Sequence, residues 1–204
     1  MMAQKQADKH AAKGRPREFD TEEALANAMH VFWEKSYAGA SLTDLTEAMG
    51  ITRPSLYAAF GNKDALFKQA FDLYENDQLA YFFAALEAPT AREVVRQMLS
   101  GTIDNVSEES RGCLGVTALI SCNDANPDVQ QAVQARVDVF REMIIKRFQR
   151  AIDEGEFEVP TSAEAMALYL MAVLQGLSIQ AGTGASREQL HGAAEATLAV
   201  WPSA

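Results

Sequence analysis

The chain has 204 residues, of which 48% are hydrophobic and 23% charged, a composition typical of a globular protein and not of a disordered or fibrous one. Its longest apolar run, residues 165–174, is about half the length of a membrane-spanning helix, and its Lys-rich start has no apolar signal segment. We therefore expect a cytoplasmic protein without a membrane crossing. The two cysteines make no disulfide framework.

The net charge of −10 is distributed unevenly along the chain. Residues 1–68 contain nine basic and nine acidic side chains, whereas residues 69–204 contain nine and nineteen. The basic residues of the first part concentrate at its start, which predicts a flexible basic arm over residues 1–17. An acidic protein does not coat nucleic acid, so any contact with nucleic acid is expected from this first part.

Apolar residues recur at helical spacing almost throughout, so the predicted fold class is all-α with about nine helices. Leu25, Ala28, Met29 and Phe32 share one face of a first helix that ends near residues 37–39. Six further helices are predicted after residue 62, and the first of these is long enough to join an N-terminal part to a C-terminal part. Their predicted ranges are 63–86, 90–106, 114–123, 127–154, 161–181 and 186–201.

Two short helices are predicted directly after the first one. Gly50 can adopt the left-handed conformation that a tight turn requires, and it separates a helix near residues 42–49 from one near 53–60. Thr52 can cap the second of these, and Pro54 lies in its first turn, where a missing N–H is harmless. Two short helices joined by such a turn and packed on a longer helix form a helix-turn-helix.

This region resembles the N-terminal signature of the TetR family of bacterial transcriptional regulators. The resemblance covers about 45 positions and departs from the family pattern at Thr46, Pro54 and Ala59. It implies a homodimer with a DNA-binding head of three helices (18–64) and a larger helical domain (65–204) for ligand binding and dimerisation. The matching residues are Phe32, Tyr37, Gly39, 41–45, 49–52, 55–57, Phe60 and 62–67.

The third helix supplies the predicted readers of DNA bases. The planar fork of Arg53 matches the O6 and N7 acceptors of guanine, a pairing that discriminates by about 1–3 kcal/mol. Thr52 and Ser55 are weaker candidates, and Pro54 can press on a thymine methyl group. The resemblance further implies that Thr43, Tyr57 and Lys63 contact phosphates, although Tyr57 could instead be a half-buried core aromatic and Lys63 a capping surface charge. Arg15 and Arg17 are candidates for the phosphates or the minor groove.

Two later helices predict the dimer surface. The segment 161–181 is apolar on most of its faces, so it must be covered on most of them. Together with the last helix it predicts a four-helix bundle between two subunits, the alternative being core within one subunit. The residues assigned to the interface are Met166, Leu170, Val173, Leu174, Leu177, Leu198 and Trp201.

The C-terminal part offers adaptable apolar side chains for an effector, although each of them could equally belong to the core. Aromatic rings and thioethers suit an apolar or aromatic small molecule bound between helices. The residues expected nearest such a pocket are Tyr74, Phe82, Phe83, Met98, Phe140, Met143 and Tyr169.

Cys113 suggests a second way of sensing. It lies in the sequence 111–115 between two glycines at a predicted helix start, where free N–H groups and Arg111 can lower the pKa of a thiol. The step resembles a branch of the family that senses electrophiles or oxidants, although a free cysteine is often only a small buried apolar residue. Cys122 is poorly placed to form a bridge with it.

No metal, cofactor or catalytic site is predicted. The three histidines have no metal-ligand spacing, and no Ser-His-Asp arrangement is recognisable. The sequence therefore predicts a non-enzymatic repressor that binds a palindromic double-stranded operator and is released by a small molecule. A thiol sensor acting through Cys113, and a helical carrier or enzyme without DNA binding, are the alternatives.

Overall fold

A computed structural model describes residues 19–107, 112–121, 126–157, 160 and 162–202. These residues form ten α-helices and no strand, which confirms the all-α class. The helices are α1 (Thr21–Gly39), α2 (Leu42–Ala48), α3 (Arg53–Phe60), α4 (Lys63–Gln78), α5 (Ala80–Leu86), α6 (Ala91–Ser107), α7 (Leu114–Ser121), α8 (Pro127–Asp153), α9 (Ala163–Gly182) and α10 (Arg187–Val200).

The described residues form one helix more than the expected number of about nine, because the predicted helix 63–86 is interrupted at Leu79. This residue leaves the helical conformation (φ −107°, ψ 13°) and separates α4 from α5. After the break, Phe82 and Leu86 are buried in the C-terminal core, and the hydroxyls of Tyr81 and Thr102 lie 3.1 Å apart. The long-range packing of α5 on α6 thus overrides the continuous helical pattern.

The N-terminal helices share a core of aromatic rings. Phe67 of α4 meets Phe32 and Tyr37 of α1 edge to face, at ring-centroid distances of 5.1 and 5.2 Å. Leu45, Leu56 and further apolar residues of α2 and α3 join the same cluster. The cluster continues into the C-terminal part, because four residues of α7 and α8 belong to it: Leu114, Ala118, Val129 and Val133.

A kink near the end of α1 directs Tyr37 into this core. Ser36 has φ 60° and ψ 171°, a conformation that only glycine adopts readily. The Tyr37 ring is almost fully buried and its hydroxyl donates a hydrogen bond to Asp64 Oδ1 at the start of α4. The strained residue therefore positions a side chain that connects α1 to α4.

The C-terminal core contains α5, α6, α8, α9 and α10. The expected apolar stripe of α8 divides along the helix: Val129 and Val133 face the N-terminal cluster, and Ile144 and Phe148 face the C-terminal one. Between them the stripe is only partly buried, at Val137 and Phe140. This middle section faces a cavity.

Among the described residues, α9 is the one helix that is long and apolar enough to cross a membrane. The apolar run of residues 165–174 is only half of this helix, so its length alone did not predict that result. A core helix of a soluble protein passes the same test. Its inward side contributes Met166, Leu170 and Leu177 to the C-terminal core, whereas two-thirds of its apolar stretch is not buried. An apolar face of α9 thus remains uncovered in the single chain.

Candidate nucleic-acid interface and ligand cavity

Helix α3 presents a polar side to solvent while its apolar side is buried. Leu56 and Phe60 belong to the core, whereas Arg53 and Pro54 are exposed and Tyr57 is 50% exposed. Tyr57 is thus half-buried, as the alternative expected, but among the described residues it is not part of either apolar core cluster. A helix of this width fits the major groove of DNA, so its free side is suited to reach base edges.

The start of α3 is held by its own cap. Ser55 donates its backbone N–H to Thr52 Oγ1 at 3.4 Å, and the two hydroxyl oxygens lie 3.0 Å apart. Thr52 is exposed, and Ser55 is partly buried. Both hydroxyls are thus engaged with each other at the helix start, beside Arg53.

Arg53 is positioned by the preceding helix. Its Nη2 donates a 2.9 Å hydrogen bond to Oγ1 of Thr43, which is exposed on α2. The guanidinium has five N–H donors, so most of them stay available when one is bound to Thr43. The structure thus places a predicted base reader and a predicted phosphate contact side by side on one surface.

Lys63 is the first residue of α4, three positions after the end of α3. Its Nζ is 4.4 Å from the centre of the Tyr37 ring, a cation–π contact. The side chain is partly buried, so Lys63 is more than a solvated surface charge. Asn62 caps α4 by accepting the N–H of Ala65 at 2.8 Å, and free N–H groups at a helix start favour anions.

An ion pair connects α1 and α2. Lys35 Nζ donates to Asp44 Oδ1 at 2.5 Å, and Asp44 Oδ2 accepts the N–H of Ser41 at 2.9 Å. These hydrogen bonds hold the pKa of Asp44 well below its usual value, with Lys35 contributing most. Arg15 and Arg17, the remaining predicted DNA contacts, and the expected arm of residues 1–17 lie outside the described residues.

A cavity of about 120 Å³ lies between α4, α5, α6, α7, α8 and α9. Tyr74, Phe82 and Phe140 line it, as expected from the sequence. Phe82 and Phe140 meet edge to face at 4.7 Å, and Leu174, which was assigned to the dimer surface, also lines the cavity.

Four residues expected near the pocket do not line this cavity, which corrects their placement. Met98 is fully buried in the C-terminal core, and Met143 packs against that core. Phe83 of α5 is 45% exposed. Tyr169 is 44% exposed and stacks on Trp201 at 6.0 Å.

An ion pair at the cavity was missed by sequence reasoning. Arg136 of α8 donates hydrogen bonds to Asp72 and Glu75 of α4, and both Glu75 and Arg136 line the cavity. Burial raises the pKa of Glu75, and Arg136 opposes that shift. The only sign of this ion pair in the sequence was the position of Arg136 beside the apolar stripe of α8, where a charged side chain is usually solvated. Phe71, Tyr81 and Thr102 also line the cavity and were missed.

Cys113 lies at the edge of the cavity, next to Tyr74. The Tyr74 hydroxyl is a donor 3.4 Å from Cys113 Sγ and 3.2 Å from Asn105 Oδ1. Tyr74 also meets Trp33 of α1 edge to face at 4.9 Å. One side chain of α4 thus touches the cavity, the thiol and the first helix, whereas Arg111 and Cys122 lie outside the described residues.

The predicted dimer residues are mostly core, which corrects the assignment. Met166, Leu170, Leu177 and Trp201 are almost fully buried within the subunit, while Val173, Leu174 and Leu198 are partly buried. Helical periodicity alone did not distinguish which side of an apolar helix faces its own subunit. The exposed apolar and small residues on the two helices are instead Ala165, Leu168, Tyr169, Ala172, Ile179, Gly192, Ala193, Ala196, Ala199 and Val200.

Comparison with known proteins places the two parts of the chain in one family. Residues 24–70 match the model of bacterial regulatory proteins of the tetR family, and residues 91–197 match the tetracyclin repressor-like C-terminal domain. The chain belongs to the TetR family. It is thus a DNA-binding transcriptional regulator, not an enzyme, which confirms the prediction and sets aside the carrier or enzyme alternative.

Relatives support this assignment over nearly the whole chain. The HTH-type transcriptional repressor ComR of Escherichia coli (strain K12) is 31% identical, over 94% of this chain and 93% of ComR. A form of the TetR family regulator CifR with three substituted cysteines, complexed with 26-bp double-strand operator DNA, is 40% identical. Its TM-score is 0.87, with 93% of this chain and all of that chain covered. A TetR regulator from Chloroflexus aurantiacus shares the fold at 24% identity and a TM-score of 0.78, over 89% of this chain and 95% of that one.

Proposed function

We propose that this TetR family protein is a cytoplasmic homodimeric repressor that reads a palindromic operator and is released by a small effector. The observation that carries the proposal is the side of α3 that is exposed to solvent, which contains Arg53, Pro54 and Tyr57. The opposite side is buried in the core through Leu56 and Phe60. Relatives named as repressors, and one solved with operator DNA, support it.

Arg53 is the proposed base reader, and Thr43, Tyr57 and Lys63 are the proposed phosphate contacts. Thr52, Pro54 and Ser55 complete the surface at the start of α3. We also propose that Arg15 and Arg17 contact DNA, because the arm of residues 1–17 is rich in basic side chains. The remaining chain is acidic, so binding depends on these cationic contacts with phosphates, which release counterions and make the affinity for DNA fall steeply with salt.

Dimerisation is proposed through the exposed side of α9 and α10. Ala165, Leu168, Ala172 and Ile179 form an exposed apolar row on α9, and small residues line the outer side of α10. Small side chains let two helices approach closely, so two copies can bury these faces in a four-helix bundle. Two heads on a two-fold axis then read half-sites a whole number of helical turns apart, which requires a palindrome.

The effector is proposed to act through α4. Phe71, Tyr74 and Glu75 of this helix line the cavity, and Lys63 starts the same helix at the nucleic-acid surface. A ligand that favours a different position of α4 would change the distance between the two heads. To reverse occupancy almost fully, it must prefer one state by about 5.5 kcal/mol.

A thiol sensor is the second candidate, favoured by the position of Cys113 at the cavity and next to the Tyr74 hydroxyl. Electrophile modification at Cys113 Sγ would place new atoms in the same cavity. Mass spectrometry after mild electrophile or peroxide treatment, with Cys113→Ser as control, tests it. Release of operator DNA in the wild type but not in Cys113→Ser supports the thiol sensor, and an unmodified Cys113 contradicts it.

Selection of bound sequences from random DNA, followed by fluorescence anisotropy on the selected site, tests the main proposal. Arg53→Ala should weaken binding to the selected site by about 5- to 150-fold and relax the base preference. Lys146→Ala removes one positive charge from an exposed position of α8 and should leave binding unchanged. Failure to recover any palindrome would overturn the proposed function, and unchanged binding by Arg53→Ala would overturn the role of Arg53.

A further inference from the structure

The volume of the cavity suits a small molecule. Its volume of about 120 Å³ is slightly smaller than the engineered cavity of about 150 Å³ that accepts benzene in another protein. A ligand of about six or seven non-hydrogen atoms therefore fills it without movement of the walls. The walls are mostly apolar, with the rings of Phe71, Phe82 and Phe140 among them.

Glu75 lines this cavity, and one of its two carboxylate oxygens lacks a partner in the described part of the chain. Glu75 Oε2 accepts a hydrogen bond from Arg136, whereas Glu75 Oε1 is buried and has no hydrogen-bond partner among the described residues. A buried carboxylate oxygen that accepts no hydrogen bond lowers the stability of the folded protein, so a hydrogen-bond donor bound at this oxygen would be stabilising. A ligand that supplies an N–H or O–H at this position removes the deficit.

The charges around Glu75 favour the same kind of ligand. Arg136 is shared between Asp72 and Glu75, so one positive charge faces two carboxylates. The hydroxyls nearby are engaged elsewhere in the fold: Tyr74 with Asn105 and Cys113, and Tyr81 with Thr102. An anionic ligand would meet a negative group in an apolar setting, whereas a neutral or cationic donor would be stabilised.

We propose that the effector of this regulator is a small, mostly apolar molecule of about six or seven non-hydrogen atoms whose O–H or N–H donates a hydrogen bond to Glu75 Oε1. This inference rests on the proposed function only in calling the ligand an effector. The site itself is a property of the free protein.

Isothermal titration calorimetry on the full chain without DNA tests the chemistry of the site. Phenol and toluene have nearly the same shape, but only phenol has an O–H that can donate a hydrogen bond. Anisole has an ether oxygen, which can only accept one. The O–H of 2-naphthol is attached to a larger ring system. Phenol should bind at least about tenfold tighter than toluene and anisole, since a hydrogen bond to a charged group contributes about 1.5–3 kcal/mol. It should also bind more tightly than 2-naphthol, which exceeds the cavity.

Variants of Glu75 identify the acceptor. The preference for phenol over toluene should fall severalfold in Glu75→Gln, which keeps an oxygen but loses the charge, and should vanish in Glu75→Leu. The wild-type comparison of ligands stands even where a variant fails to fold. Equal binding of phenol and toluene, tighter binding of 2-naphthol, or an unchanged preference in Glu75→Leu would each overturn the inference.

The effect of phenol on operator binding separates this inference from the proposed function. Loss of anisotropy of labelled operator on addition of phenol supports both. Phenol binding with no change in operator affinity would contradict the effector role while leaving the site chemistry intact. Operator binding without any phenol binding would overturn the inference alone.

Discussion

The indole nitrogen of Trp33 donates a buried hydrogen bond of 2.7 Å to the carbonyl oxygen of Gly112. Trp33 belongs to α1, and Gly112 directly precedes Cys113, which lines the cavity. Tyr74 packs edge to face on the same indole ring. The first helix of the DNA-binding head is thus connected to the cavity wall through one side chain.

Trp33→Phe should lower both stability and the coupling between ligand and DNA. The change leaves the buried Gly112 carbonyl unpaired, at a cost of about 1–3 kcal/mol in the free energy of unfolding, and the smaller ring adds to the loss. Tyr81→Phe, which removes the hydrogen bond between Tyr81 of α5 and Thr102 of α6 at the cavity wall, is the control. Denaturant unfolding measures the stability. The coupling would be contradicted if the ligand changed the operator affinity of Trp33→Phe as much as that of the wild type.

Gly112→Ala should be far more destabilising than Gly184→Ala. Both glycines have positive φ, 69° and 97°, so alanine is strained at either position. A Cβ on Gly112 would also lie 2.8 Å from the backbone oxygen of Ser178 in α9, whereas a Cβ on Gly184 meets nothing within 4 Å. We expect a loss of about 1 kcal/mol at Gly184 and clearly more at Gly112, measured by denaturant unfolding. Equal losses would show that the clash with α9 is relieved at no cost.

Ser36→Gly should stabilise the head. Serine at φ 60° and ψ 171° is strained by about 1–3 kcal/mol, and glycine relieves most of that strain. The net gain is expected near about 1 kcal/mol, because glycine also has more freedom in the unfolded chain. The nearby Ala38→Gly, at an exposed helical position, should instead lower stability by up to about 1 kcal/mol. Thermal unfolding of both variants checks the opposite signs.

Asp44 should make the stability of the head sensitive to acid. The hydrogen bonds from Lys35 and Ser41 hold the pKa of Asp44 below its unfolded value, so the folded state binds the proton less readily. The stabilisation is therefore complete above the unfolded pKa of about 4 and is lost as the pH falls below it. The difference in unfolding midpoint between the wild type and Asp44→Asn, followed by circular dichroism, should be larger at pH 6 than at pH 3. An identical difference at both pH values would argue against this role.

Ala172→Glu should convert the protein to a monomer and weaken operator binding. Ala172 lies in the middle of the exposed apolar row of α9, so a buried carboxylate there would be repelled by its copy across the two-fold axis. Val139→Glu introduces the same charge at a 59% exposed position of α8 and is the control. Light scattering gives the mass of each variant. A dimer that persists in Ala172→Glu would contradict the proposed interface.

Much of the local structure followed from residues close together in the chain. The predicted cap of α3 is present at Thr52, and α1 begins in the same way at Asp20, whose side chain accepts the N–H groups of Glu22 and Glu23. A cap is satisfied by backbone groups two or three residues away, and an apolar face repeats every three or four residues. Helix limits and the helix-turn-helix with its exposed Arg53 are therefore readable from a short window of sequence.

Only the tertiary structure decided which apolar faces meet and where charge is buried. Glu75 and Arg136 are 61 residues apart, and the packing of α4 against α8 brings them together at the cavity. Likewise, α9 is apolar nearly all round, so its periodicity could not tell that Leu170 faces the core and Leu168 faces outward. The break between α4 and α5 at Leu79 was likewise decided by the tertiary structure, because contacts between distant helices outweigh the weak preference of one residue for continuing a helix.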